Sequence, residues 1–261
     1  MNTNMNNFEK IIITTTINEP AEATLKFFSQ NGQDYFLENN IFRKIKNGVF
    51  VDIGANDGKT FSNTYFFEKK GWTGICVEPI KDVFEKLEKN RVCKCIHGVI
   101  SGNDEEFANF FHIPGDLEML SGILEKYDEK HLERLKREGV EGGEIISIKN
   151  YNFNNIITTN DIDYLSIDTE GSEFDILESI DFSKYTIKVI SIENDYNDKR
   201  IYNFLKEKGF QYLKTIGNDD IYINKKYKKL IENKFLYFKL FLFKIYKNIK
   251  LIIKKIINKD A

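Results

Sequence analysis

Cysteine and proline are scarce in this chain, three of each in 261 residues, and only three histidines and one tryptophan accompany them. Three thiols cannot build a disulfide framework, and Cys76, Cys93 and Cys95 have no second Cys/His pair at metal-ligand spacing, which excludes a zinc-thiolate scaffold. Cys93 and Cys95 read instead as neighbours on one face of a strand, packed as small hydrophobes. No N-terminal stretch joins a basic start to an uninterrupted apolar run, so the expected compartment is reducing and cytoplasmic. Positive charge is also missing from most of the sequence. Twelve lysines from Lys225 onward face only Glu232 and Asp260, which leaves 26 basic and 38 acidic residues in the rest, a balance of −12 behind the overall −2. An acidic body without a basic stripe argues against nucleic acid as partner.

Two phosphate-binding signatures are absent as well. The stretch VFVDIGANDGKTFSN, residues 49–63, contains Gly54-Ala55-Asn56-Asp57-Gly58-Lys59-Thr60, one residue short of the loop that cradles nucleotide phosphates. A dinucleotide fingerprint needs glycine where Asn56 stands.

What is present is a strict alternation of elements. GVFVDIGA is a buried strand, KTFSNTYFFEKKG reads as a helix ending at Gly71, and WTGICVEP, IKDVFEKLEKN and VCKCIHGVIS follow as strand, helix and strand. EFANFFHI is a further strand that extends or flanks the sheet. Residues 114–160 break the rhythm with a charged helix and a Gly-Gly turn, an insertion of the kind that covers an active site. YLSIDTEG, SEFDILESIDF, IKVISIEN and DKRIYNFLKEKG resume the alternation, and FQYLKTIGNDDIYINKKY closes it as a hairpin. The pattern predicts an α/β, Rossmann-like domain over 26–227: a mostly parallel sheet with a C-terminal β-hairpin, after a polar lead-in over 1–25 that holds at most an edge strand.

Ligands in such sheets sit beyond the carboxyl ends of the strands, where strand order reverses. Asp52 and Gly54 end the first strand, and Glu78 closes the second, 26 residues on, where an acidic side chain accepts hydrogen bonds from ribose hydroxyls. The glycines would let the backbone approach a ligand without phosphate, and Asp52 would attract a cationic group. A ribose at one end and an amino acid at the other describe S-adenosylmethionine.

The ordered blocks FVDIGANDGKTFSNT, GWTGICVEP and LSIDTEGSEFDIL, preceded by SQNGQD, resemble the FkbM-type methyltransferases. The resemblance spans Ser29 to Tyr227. It implies a class I methyltransferase fold with a seven-stranded sheet, bound S-adenosylmethionine, and O-methylation of a sugar, polysaccharide precursor or polyketide hydroxyl. The expected cofactor-binding residues are Asp52, Gly54, Ala55, Asn56, Gly58, Asn63, Glu78, Pro79, Ser101 and Asp168, with Gln33 bordering the site beside Ser29, Gln30 and Asp34.

For chemistry, Asp168, Glu193 and Asn194 end two adjacent strands. An acidic residue followed by an acidic-Asn pair is similar to the Mg2+ site of the catechol O-methyltransferase group, and such an ion would orient the acceptor hydroxyl and lower its pKa. The alternative readings are a helix cap for Asp168 and an ordinary polar strand end for the other two. A metal-free base is the other option, with His112 the best-placed histidine, His97 a strand residue and His131 facing solvent. Glu170 and Glu173 would hydrogen-bond the acceptor or hold their turn.

The tail, 228–261, carries Ile231, Phe235, Phe238, Leu242, Ile245, Ile249, Ile252 and Ile256 at alternating spacings of four and three, with lysines opposite. Lys239, Lys244, Lys247 and Lys250 interrupt every apolar run, so a membrane span is not expected. The reading is a basic amphipathic helix that lies on an anionic membrane, the inner face of the cell membrane, or pairs subunits of a homo-oligomer. The functional alternatives to an O-methyltransferase are a cofactor-binding module without turnover and a nucleotide-dependent enzyme.

Overall fold

The computed structural model describes residues 26–231. The lead-in and nearly all of the basic tail lie outside that range, and so do the expectations made for them; Lys225–Leu230 forms a short 3-10 turn. Among the described residues no helix is long and apolar enough to cross a membrane.

The strands, in chain order, are β1 (Val49–Ile53), β2 (Thr73–Glu78), β3 (Lys94–His97), β4 (Phe107–His112), β5 (Gly122–Ile123), β6 (Glu144–Lys149), β7 (Asp161–Ile167), β8 (Thr186–Glu193), β9 (Phe210–Ile216) and β10 (Asp219–Asn224). The helices are α1 (Gln33–Leu37), α2 (Tyr65–Lys69), α3 (Lys81–Asn90), α4 (Glu129–Arg137), α5 (Phe153–Ile156), α6 (Glu173–Ser179) and α7 (Lys199–Glu207). Seven strands form one sheet in the order β3-β2-β1-β7-β8-β10-β9, parallel except that β10 runs against both neighbours. This is the expected Rossmann-like α/β class with its terminal hairpin. Strand order reverses between β1 and β7.

Both faces of the sheet are buried, which explains why its strands read as continuous apolar runs. Val51, Ile75, Leu165 and Ile190 join one core cluster with Phe153, Ile176 and Leu205; Phe50, Cys76, Tyr164 and Val189 join the other with Leu37, Phe67 and Leu87.

Of the two places expected for EFANFFHI, the structure takes the flanking one: as β4 it makes a second sheet in the order β5-β4-β6, beginning ahead of the expected Pro114 boundary. Two local expectations change. The helix after β1 is only Tyr65–Lys69. Asp57 accepts hydrogen bonds from the Lys59 and Thr60 N–H groups and the Thr60 hydroxyl, which holds Asp57–Thr60 as a turn; the helical pattern is real but its first half is a loop. The third strand is shortened to Lys94–His97.

Candidate active site

A cavity of about 430 Å³ opens at the β1/β7 reversal, roofed by the inserted unit. That volume suits a small-molecule site. Its construction starts at β1, where the Gly54 and Ala55 N–H groups both donate to the Val77 carbonyl at 3.0 Å. Gly54, at φ +82, is glycine for a reason the sequence does not show: a Cβ there would lie 1.6 Å from the Asp168 carbonyl oxygen. It lets two backbone loops meet, where a close approach to ligand had been expected. Gly58 is similar, since a Cβ would strike Leu87 and Arg91, and it lies behind the cavity wall.

Glu78, at the end of β2, lines the cavity with its carboxyl oxygens accepting from the Asn56 and Ile80 N–H groups, both at 2.9 Å. Burial pushes its pKa up to about 7, against those two bonds. Asp52 is also on the wall, but it accepts from the Thr64 hydroxyl at 2.5 Å and lies 4.0 Å from Arg91; burial raises it to about 6 although the guanidinium pulls it down. Ala55, Asn56 and Pro79 line the cavity beside them, as do Val99 and Ile100. Ser101 does not. It is buried behind the wall, where its N–H donates to Asn150.

The N-terminal block divides. Gln30 and Gln33 reach the cavity, whereas Asp34 turns inward and accepts from the Phe28, Ser29 and Tyr35 N–H groups and the Ser29 hydroxyl. The Gln33 and Asn63 amides converge on a residue the sequence reading passed over: each donates to Asp219 Oδ2, at 3.1 and 3.0 Å. In the sequence Asp219 is one residue of the closing hairpin, at the start of β10. Its position follows from topology, because a strand antiparallel to β8 must begin where β8 ends, opposite Glu193. Burial raises Asp219 to about 6 against those two amide bonds. Asn63 Oδ1 and Ser172 Oγ, both on the wall and buried, have no protein partner.

Asp168 and Glu193 end β7 and β8 side by side on the cavity wall, close enough for one carboxyl to bond the other. Asp168 does not cap α6. Glu173 holds that turn by accepting from the Thr169 and Gly171 N–H groups and the Thr169 hydroxyl, so of its two offered roles it takes the structural one. Asp168 is open to the cavity yet enclosed by protein; desolvation first, then Asp219 and Glu170, raise its pKa, and burial and Asp168 do the same for Glu193. Arg134, from α4, crosses to bond Glu170 at 2.9 Å and Asp195 at 2.8 Å. Glu170, at φ +54, is raised to about 7 by burial despite that ion pair.

Besides Gly58 and Ser101, two further predicted site residues are not brought in, Asn194 and His112. The Asn194 side chain is spent on structure: Oδ1 accepts from the Asp198 N–H at the start of α7, and Nδ2 donates to Asp220. That removes the third oxygen of the proposed Mg2+ set, and among the described residues no His/Cys/Asp/Glu group has metal-holding geometry. The residues present do not fit that ion. His112, on β4, lies outside the cavity lining, between Glu144 at 3.2 Å and Glu118 at 3.5 Å, and is no candidate base. His131, expected at the surface, is buried and stacked on Tyr127 at 4.1 Å. His97 faces the Pro79 carbonyl at 2.9 Å. The Cys76 and Cys93 sulfurs touch at 3.5 Å as free thiols.

The cavity at the β1/β7 reversal and the single antiparallel strand define a Rossmann-like α/β protein with a small-molecule site at the carboxyl ends of its strands. Residues 52–212 match the family model described as "Methyltransferase FkbM domain", and the chain belongs to that family. No curated protein matches. Among solved structures, the chain is similar to a TehB-like SAM-dependent methyltransferase from Corynebacterium glutamicum, with 10% identity, 76% of this chain and 89% of that one covered, and a TM-score of 0.37. It is similar also to precorrin-6y C5,15-methyltransferase from Geobacter metallireducens, with 10% identity, coverages of 78% and 91%, and a TM-score of 0.38. A third is TrmK of M. capricolum in complex with S-adenosylhomocysteine, at 13% identity, coverages of 70% and 66%, and a TM-score of 0.33.

The chain's own groups suit the cofactor. Glu78 keeps lone pairs for a ribose, and the partnerless Asn63 Oδ1 beside Asp219 suits an ammonium donor. A triphosphate does not fit, because the glycine-loop N–H groups are already bonded to Val77 and Glu78 and the walls carry carboxyls.

Proposed function

We propose that this methyltransferase acts on a hydroxyl of a sugar, polysaccharide precursor or related natural product. One observation carries the reading: Asp168 and Glu193 stand together on the cavity wall at the strand ends, bonded to no side chain but each other's, and among the described residues neither forms a salt bridge with a cation. S-adenosylmethionine supplies an electrophilic methyl on its sulfonium. The chain's part is to hold the acceptor oxygen in line with it, to exclude water, and to take the hydroxyl proton onto Asp168 or Glu193, whose carboxyls burial makes more basic than ordinary ones. Either carboxyl would take up that proton as the acceptor oxygen receives the methyl group.

Calorimetric titration with S-adenosylhomocysteine, with ATP as control, tests the site. We expect binding of the first and none of the second, and Glu78→Ala should weaken it by about tenfold or more, as loss of a charged hydrogen-bond acceptor would. Labelled methyl transfer to a glycan pool tests the reaction: label recovered as a methyl ether supports it, and label on nitrogen or as an ester overturns it. Cofactor binding without transfer to any acceptor would favour the non-catalytic binding module. The tail as a membrane-surface helix belongs to the same proposal; liposome flotation unchanged by truncation at Lys225 would remove it.

A further inference from the structure

The cavity's charge is lopsided. Asp52, Glu78 and Asp219 line its cofactor half, Asp168, Glu170 and Glu193 its far end, and Asp116, Glu118 and Glu138 its roof, against Arg134 alone among basic side chains of the described residues. Arg134 is itself shared between Glu170 and Asp195. One carboxyl suffices to accept one proton, so the methyl transfer proposed above leaves most of these groups unexplained. S-adenosylmethionine brings one net positive charge, which still leaves the far end uncompensated.

A second observation points the same way. Asn63 is 8% exposed and Ser172 is 0% exposed, and each presents an oxygen without a partner on this wall. A buried polar oxygen costs about 1–3 kcal/mol if it stays unpaired; Asn63 Oδ1 only accepts, so it calls for an N–H or O–H donor from the ligand, while the Ser172 hydroxyl can meet either. Phosphates and carboxylates bring only acceptors and like charge.

We propose that the Asp168–Glu193 end of the cavity is a cation subsite, which selects an acceptor carrying a protonated amine beside its reacting hydroxyl and rejects phosphorylated acceptors. The facing charges come from every element around it: Glu170 and Glu173 after β7, Asp195 after β8, Asp219 at the start of β10, and Arg134 on α4. A cation placed among them relieves their mutual repulsion, whereas an anion adds to it. The inference rests on the cofactor reading above.

The test compares three ligands of the full chain by calorimetry at pH 7.5: S-adenosylhomocysteine, neutral at sulfur; S-adenosylmethionine; and sinefungin, which puts an ammonium in place of the methyl-bearing sulfonium. Both cationic ligands should bind at least about tenfold more tightly than the homocysteine compound, and the isosteric changes Asp168→Asn and Glu193→Gln should each narrow that gap by about threefold or more. Equal affinities, or a gap that survives both substitutions, overturn the subsite while leaving the cofactor reading intact. Failure of all three to bind overturns the cofactor reading itself. In the labelled transfer to the glycan pool, label should be retained on a cation exchanger at neutral pH; label in the neutral or anion-exchanged fraction overturns the amine requirement.

Discussion

Gly54 shows how a single missing methyl group organises the site. The β1 loop and the β7 loop touch through it, and a side chain would collide with the Asp168 carbonyl in a backbone conformation, φ +82, that L residues avoid. Gly54→Ala should therefore cost roughly 3 kcal/mol or more in urea denaturation, and displace Asp168 in whatever folds. Asn56, at φ +50, and Phe61, at φ +57, hold left-handed backbone in the same loop; Phe61 is 48% exposed at the cavity wall, so no core packing repays its strain. Glu78 was legible from its spacing and composition alone. Gly54's true neighbour was not, because Asp168 is distant in sequence and only the parallel β1–β7 pairing brings it there.

At the scale of elements, the loop after β1 is held from behind by the end of α3. Arg91, 4% exposed, donates from Nε to Glu68 at 2.8 Å, from Nη1 to the Gly58 carbonyl at 3.0 Å, and from Nη2 to the Thr64 hydroxyl, with Phe50 and Tyr65 against its plane. Thr64 in turn donates to Asp52, so Arg91 supports the cavity wall without touching the cavity. Arg91→Met leaves the buried Glu68 without its cation, its Oε1 keeping only the Val92 and Cys93 N–H groups, and should lower stability by about 3–5 kcal/mol; Arg91→Lys, lacking the fork, should recover only part of this in thermal melts. In the sequence Arg91 is one cation after a charged helix, and nothing in its neighbours marks it as buried. The helix after β1 starts later than expected for a related reason: Asp57 and Ser62 offer their side chains to nearby N–H groups and hold the turn ahead of Tyr65.

For the whole molecule, gathering carboxyls at one end of the sheet sets the pH response. Glu78 and Glu170 are raised to about 7 and Asp52 and Asp219 to about 6, burial being the first cause in each. The folded state therefore holds more protons than the unfolded one between pH 4 and 7. Stability from these groups is complete below their unfolded pKa values and is lost as pH rises through the folded ones, on the order of 3 kcal/mol for Glu78 alone. Ligand-free protein should melt at a higher temperature at pH 6 than at pH 8, and Glu78→Gln should flatten that difference. A Tm that rises from pH 6 to 8 would contradict the burial of these groups.

By itself the sequence determined the alternation of elements, the parallel sheet with its closing hairpin, the family and the placing of Asp52, Glu78, Asp168 and Glu193 at strand ends. These follow from local periodicity and from which residues stop an apolar run, both written in neighbours along the chain. Tertiary structure alone decided that Asn194 caps α7, that His112 stands apart, that β4 builds a second sheet, and that Asp219 joins Gln33 and Asn63 across more than 150 residues of chain. Each of those depends on which partner a polar group finds in space. Spacing along one chain does not encode that choice until the strands have paired.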